Sequence, residues 1–360
     1  MSKAAELAAL IGSQTALSNR NMIINGAMQV AQRGTSTSSV TSTGYHACDR
    51  FKFLYTDAGT WTVSQSTDAP DGFANSFKVE CTTAKSSLAS DSRLFILQHL
   101  EGQNLQQLKK GTSSAESITL SFYVRTNKTG TYQVHVEDND NIRIIGSTYT
   151  VSTANTWQKV TVTLAGDTTG ALDNDNGDSF AVFFALVAGT DNSSGAVPTA
   201  WEAKTNADRG AGLNVNLADA TSNYWQITGL QMEIGEQATP FEHESYAATL
   251  QKCQRYYYQT VYKGSADTTY AIGVAANSST AAQCMAPFPV TMRAAPTFVV
   301  GGDVAVYDGD SVNTITNISA NGSSTTSGTF NVDGSGLTTG RGVAIIANQS
   351  SEFLSFSSEL

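Results

Sequence analysis

The stretch Asn223-Tyr224-Trp225-Gln226-Ile227-Thr228-Gly229-Leu230-Gln231-Met232-Glu233-Ile234-Gly235, continuing to Ala238-Thr239-Pro240-Phe241-Glu242, decides the fold. It reads as the closing strand of a β-sandwich followed by a stiff exit. Trp225 and Ile227 share one face, whereas Leu230, Met232 and Ile234 share the other. Side chains alternate with period two along a strand, so this switch needs one extra residue, and Gly229 is the natural place for a β-bulge. The stretch presents no nucleophile motif and speaks of a structural or binding module.

Working outward, strand signals recur from Tyr45 to Phe241. Ile118, Leu120, Phe122 and Val124 alternate with Thr119, Ser121, Tyr123 and Arg125. Tyr132, Val134 and Val136 alternate with Gln133, His135 and Glu137. Further apolar rows are Val160, Val162 and Leu164, then Phe180, Val182, Phe184 and Leu186. With Phe51–Phe53, Trp61–Val63, Phe77–Val79 and Leu94–Ile96, at least eight strands emerge. One dry and one wet face per strand is the mark of antiparallel sheets. The fold class is therefore all-β, a jelly-roll β-sandwich over residues 35–246.

Downstream, Ser245 to Tyr256 suits a short helix, with Tyr246, Leu250 and Cys253 on one stripe and Ser245 as its cap. Residues 247–360 follow as a second, smaller β-sandwich, including Tyr270–Val274, Thr297–Val300 and Val343–Ile346. Three prolines confine the stretch from Met285 to Pro296 to an edge or loop. Residues 308–341, rich in Ser, Thr, Gly and Asn, read as long loops able to carry recognition. Upstream, residues 2–11 suit a short helical arm with Leu7, Leu10 and Ile11 on one stripe, and Gly34 to Gly44 reads as a loop. The arm as a whole is taken as residues 1–34. So short a helix needs a partner surface, which points to docking.

Composition supports this reading. Charged residues make up 14% of the 360, against roughly 25% in ordinary soluble domains, and turn residues fill the gap. A net charge of −10 without any basic run argues against a nucleic-acid partner. Cys48, Cys81, Cys253 and Cys284 lie far apart, without metal or redox spacing, and read as reduced, buried small hydrophobes. No apolar run is long enough for membrane insertion. Leu7–Ile11 is too short for a signal-peptide core, so folding in a reducing cytoplasm is expected.

Five segments stand out in order along the chain: Asn19-Arg20-Asn21-Met22-Ile23-Ile24-Asn25-Gly26-Ala27-Met28-Gln29-Val30-Ala31-Gln32-Arg33-Gly34, Tyr45-His46-Ala47-Cys48-Asp49-Arg50-Phe51, the bulged strand, Leu250-Gln251-Lys252-Cys253-Gln254-Arg255-Tyr256-Tyr257, and Phe288-Pro289-Val290-Thr291-Met292-Arg293-Ala294-Ala295-Pro296-Thr297. Together they resemble virion structural and tail fibre proteins of marine tailed phages, of the kind found in podoviruses of cyanobacteria. The resemblance implies a virion location, a carbohydrate-binding-like jelly roll, a homotrimer, and other virion proteins (tail or capsid) as partners of the arm. Carbohydrate-binding jelly rolls often carry an Asp for structural calcium in their last strand. Thr228-Gly229 stands there instead, so the resemblance carries no calcium over.

Candidate chemistry is sparse. Asp173-Asn174-Asp175-Asn176-Gly177-Asp178 has oxygen ligands but not the EF-hand order, and reads as a solvated turn, as does Glu137-Asp138-Asn139-Asp140-Asn141. Glycoside hydrolysis needs two carboxyls about 5–9.5 Å apart. Glu101, Glu137, Glu202 and Glu233 are available, but nothing in the sequence pairs them. No Gly-x-Ser-x-Gly motif occurs. No metal, cofactor or enzymatic activity is expected. If the strands of Tyr123 and His135 form a hairpin, then Tyr123, Arg125, Gln133, His135 and Glu137 share one wet face suited to stacking and hydrogen-bonding a sugar. Trp61, Trp157, Trp201 and Trp225 read as core, and Tyr256–Tyr258 with Tyr262 as a packing junction. The expected function is adhesion to host surface polysaccharide. The alternatives are a capsid-bound fibre or decoration protein and a glycan-degrading spike.

Overall fold

The computed structural model describes residues 19–261, 268–275, 279–347 and 349–360. The arm residues Leu7, Leu10 and Ile11, and Tyr262, lie outside them. The described chain is all-β with only short helices, and it divides into two compact units between Thr249 and Leu250.

The first unit holds β1 (Ser36–Val40), β2 (Gly44–Tyr45), β3 (Lys52–Thr56), β4 (Thr60–Ser66), β5 (Ser76–Thr83), β6 (Arg93–Glu101), β7 (Ile118–Thr126), β8 (Gly130–Asp138), β9 (Arg143–Val151), β10 (Gln158–Leu164), β11 (Asp178–Ala188), β12 (Glu202–Ala203) and β13 (Tyr224–Ile234). One sheet runs β1-β4-β5-β13-β7-β10 and the other β12-β9-β8-β11-β6-β3-β2. The chain passes repeatedly from one to the other, as in a jelly roll. The sheets pack face to face, with Phe122 of β7 edge-on to Phe184 of β11 at 5.1 Å and Trp225 of β13 against Phe184 at 5.5 Å. All four apolar rows read from the sequence line this core.

The bulge is present. Against β7 the register of β13 slips between Thr228 and Gln231, and Gly229 takes φ +61°. The slip puts Trp225, Ile227, Leu230 and Met232 into one core, all fully buried. Each such side chain contributes roughly 1.5–3 kcal/mol.

Segments that carry the resemblance tie this strand down. Asn21 Nδ2 donates to Leu230 O at 3.1 Å, and its Oδ1 accepts from Met232 N at 3.1 Å. Asn25 Nδ2 donates to Val30 O and Asp49 O, and a Cβ on Gly26 would sit 2.1 Å from Leu230 O. Residues 19–34, grouped with the arm on sequence grounds, thus belong to the sandwich. The expected loop 34–44 contains β1, which borders β4. Trp61 and Trp225 are core, but Trp157 and Trp201 are only half-buried.

The second unit contains most of the helix Tyr246–Gln254, which Ser245 Oγ caps by accepting from Ala248 N at 3.2 Å. It continues with β14 (Tyr257–Gln259), β15 (Thr268–Val274), β16 (Ala281–Pro287), β17 (Thr297–Gly301), β18 (Ala305–Tyr307), β19 (Val312–Ala320), β20 (Ser327–Gly334), β21 (Gly342–Ala347) and β22 (Phe353–Ser357). It is not the small sandwich expected. β15-β16-β20-β19-β18-β21 form a closed barrel, because β15 pairs with β21 as well as with β16. The supposed loops 308–341 include β19 and β20, and Met285–Pro287 ends β16. Polar side chains face outward from a small barrel, so these strands look like loops by composition. β14-β22-β17 form a separate sheet, where Tyr258 stacks on Phe356 at 6.1 Å. The four cysteines are buried thiols outside any disulfide, and burial pushes the Cys284 thiol up to about 12.

Candidate functional site

The predicted hairpin does not form. β7 pairs with β13 and β10, whereas β8 pairs with β9 and β11 in the opposite sheet. The link at residues 127–129 crosses the sandwich instead of turning within one sheet. Thr126 Oγ1 anchors the end of β7 by donating to Tyr224 O at 2.6 Å, and Tyr132 OH ties β8 back to Lys128 O at 2.7 Å. Tyr123 and Arg125 therefore lie on the outer face of one sheet, and Gln133, His135 and Glu137 on the outer face of the other.

The face bearing His135 is closed. Gln133, His135 and Glu137 are at most 2% exposed. His135 stacks on Phe183 at 4.7 Å and meets Phe95 edge-on, and the Arg209 guanidinium covers both phenyl rings. Glu137 accepts from Arg209 Nε at 2.5 Å, Lys204 Nζ at 3.2 Å and His135 Nε2 at 3.3 Å. Burial opposes its charge, but His135, Arg209 and Lys204 outweigh burial and hold the carboxyl down to about 2. Burial pushes His135 down as well, so the ring is neutral near pH 7, with its proton assigned to Nε2 by this bond. Glu137 and Asp138 are strand residues rather than part of a turn.

The face bearing Tyr123 is open, and the bulge shapes it. A Cβ on Gly229 would lie 2.7 Å from Phe73 Cζ and 3.1 Å from Tyr123 Cδ2, so only glycine lets these rings settle over β13. Phe73 packs against Tyr123, Phe241 and His243 with centroids 5.6, 5.0 and 5.2 Å apart. All but the exposed His243 are half-buried. Asp68 pairs with Arg125 and accepts from Trp157 Nε1 at 3.2 Å. Beneath them, Gln226 Oε1, Thr228 Oγ1 and Arg125 Nε are buried without a hydrogen-bond partner among the described residues. Half-wet rings beside the Arg125–Asp68 pair make a shallow surface able to stack on a polar ring, over the buried Gln226 and Thr228 oxygens.

Asp68, Phe73, Phe241 and His243 were missed from the sequence because none belongs to a periodic strand row, and Trp157 was assigned to the core. The exit after Gly235 folds back over the same face. Thr239 donates from N and Oγ1 to Glu233, and Glu242 N donates to Gln231 Oε1 at 2.8 Å.

Other candidates resolve into structure. In the acidic loop, Gly177 N donates to Asp175 Oδ1 at 2.7 Å, a turn-stabilising bond. Among the described residues no three His, Cys, Asp or Glu side chains gather in a metal-ligating cluster. Two depressions, beside Asn25–Phe241 and Lys110–Trp201, enclose only about 20 and 10 Å³, room for a water rather than a sugar ring.

No family model and no curated protein matches the chain. Among solved structures, the enzymatically active domain of tailspike protein 4 from bacteriophage CBA120 aligns at 12% identity and TM-score 0.33, covering 60% of this chain and 21% of that one. This chain thus spans about a fifth of that tailspike. A sugar-binding protein of Bacteroides thetaiotaomicron aligns at 13% identity and TM-score 0.33, covering 59% and 99%. The family 11 carbohydrate-binding module of Clostridium thermocellum aligns at 9% and 0.29, covering 57% and 99%.

Proposed function

We propose that the chain is a virion attachment protein that adheres to host surface glycans, without catalysis, through the open face around Tyr123. The observation that carries this reading is the ring set Tyr123, Phe73 and Trp157 held half-exposed beside the Arg125–Asp68 pair, above the partnerless Gln226 and Thr228 acceptors. The five segments resembling phage fibre proteins support the virion setting. In this reading Leu7, Leu10 and Ile11 dock the chain to the particle, three copies assemble, and many shallow contacts act together where one would be weak.

The test is glycan-array binding by the full chain against its Tyr123→Ala and Arg125→Ala variants. Tyr123→Ala is expected to weaken binding by roughly 5- to 150-fold, on the scale of the roughly 1–3 kcal/mol that stacking a nucleic-acid base on one aromatic ring contributes. Absence of binding to any host polysaccharide sinks the glycan reading and leaves the structural fibre. Release of reducing ends converts it into a spike.

A further inference from the structure

Lys78, Lys85, Lys109, Lys110, Lys128 and Lys204 of the sandwich each contact an Asp or Glu carboxylate at 3.2 Å or less. Lys159 of β10 does not. It is exposed, it has no carboxylate partner among the described residues, and its Nζ stands 6.0 Å from the centre of the Tyr123 ring. The register puts it there. Lys159 lies directly opposite Tyr123 and Tyr123 opposite Thr228, while the neighbouring row holds Lys78, Gln226 and Arg125. These two rows of the open face carry three basic residues. Asp68 and Glu80 pair with Arg125 and Lys78, which leaves the charge of Lys159 uncompensated beside the ring. The whole chain carries −10, but salt screens exposed charges more than about 8 Å away, so a ligand on Tyr123 meets the local excess.

We infer that the sugar taken by this face is acidic, a uronate- or sulfate-bearing polysaccharide, and that Lys159 selects it. The inference deepens the glycan reading above and rests on it. A neutral ring that stacks on Tyr123 pushes the ammonium off the aromatic face and offers it only hydroxyls in return. A ring bearing a carboxylate or sulfate replaces that cation–π contact with a charge-assisted hydrogen bond while it stacks. β10 ends its sheet, so no further strand hinders the swing of the side chain.

The test is equilibrium binding of the full chain and its Lys159→Gln variant to four polymers: a polyuronate, the same polymer with its carboxyls reduced to alcohols, a sulfated glucan and the unsulfated glucan. The wild type is expected to prefer an acidic polymer over its neutral counterpart by about three- to fivefold per site, the scale of one exposed ion pair, and to lose that preference in high salt. Lys159→Gln should lose the preference in any salt without weaker binding to the neutral polymers. The carboxylate and sulfate arms identify the anion. Wild-type binding to a neutral polymer that equals or exceeds binding to its acidic counterpart overturns the inference and leaves the glycan reading standing. A preference that survives in Lys159→Gln overturns the role of Lys159. Binding to none of the four overturns the inference, and the glycan array then decides whether the face holds sugar at all.

Discussion

The two outer faces of the sandwich carry the same kinds of residue and meet opposite fates. On one, His135, Glu137, Phe183 and Phe95 lie beneath Arg209 and Lys204, and the Glu137 carboxylate is held by three donors, although His135 Nδ1 and Gln133 Oε1 stay unpaired among the described residues. On the other, Tyr123, Arg125, Phe73 and Trp157 stay half-wet over Gln226 and Thr228 oxygens that have no partner among the described residues. What separates them is the covering chain. A segment carrying both Arg209 and Lys204 brings two basic groups to Glu137, whereas the exit Thr239–Glu242 bonds Gln231 and Glu233 and lays Phe241 on Phe73, leaving Tyr123 and Trp157 half-exposed. A wet-looking strand face is thus no guide to accessibility until the loops are placed.

Three experiments sharpen or break this contrast. Glu137→Gln carries the largest expected effect, because it leaves Arg209 and Lys204 beside an uncharged partner in a buried network. A loss of about 3 kcal/mol is expected in denaturant unfolding of the sandwich, with glycan binding per folded molecule unchanged. A loss below about 0.5 kcal/mol, the range of ordinary surface substitutions, means that the network does not seal that face.

Acid should act in the same direction. His135 sits below its ordinary 6.5, so the unfolded chain takes up that proton first and stability starts to fall as pH drops through 6.5. Glu137 is depressed from 4.5 to about 2, so its contribution is complete above 4.5 and disappears as pH falls towards 2. The Glu137 part is on the order of 3 kcal/mol. The check is a set of unfolding curves from pH 7 to pH 3 for wild type and Glu137→Gln. The variant should lack the component below pH 4.5, and equal slopes would assign the acid sensitivity elsewhere.

Gly229→Ala touches the open face. A residue at φ +61° with a side chain costs about 1–2 kcal/mol, and its methyl would displace Phe73 and Tyr123. Modest destabilisation with a larger fall in glycan binding is expected by melting and array measurements. Destabilisation with full binding would show that the ring pair is packing and not contact surface.

By itself the sequence determined the sandwich, its inward rows and the bulge, because burial and alternation are written locally, two residues at a time. The same local code read Gly229 correctly from a change of parity. It gave no information on which strands become neighbours. β7 and β8 follow one another in the chain and still enter different sheets, and β15 meets β21 only after most of the barrel intervenes. Strand pairing, barrel closure and the burial of Gln133, His135 and Glu137 are non-local. Tertiary structure decided them, through packing and buried charge that bring together residues distant in the chain.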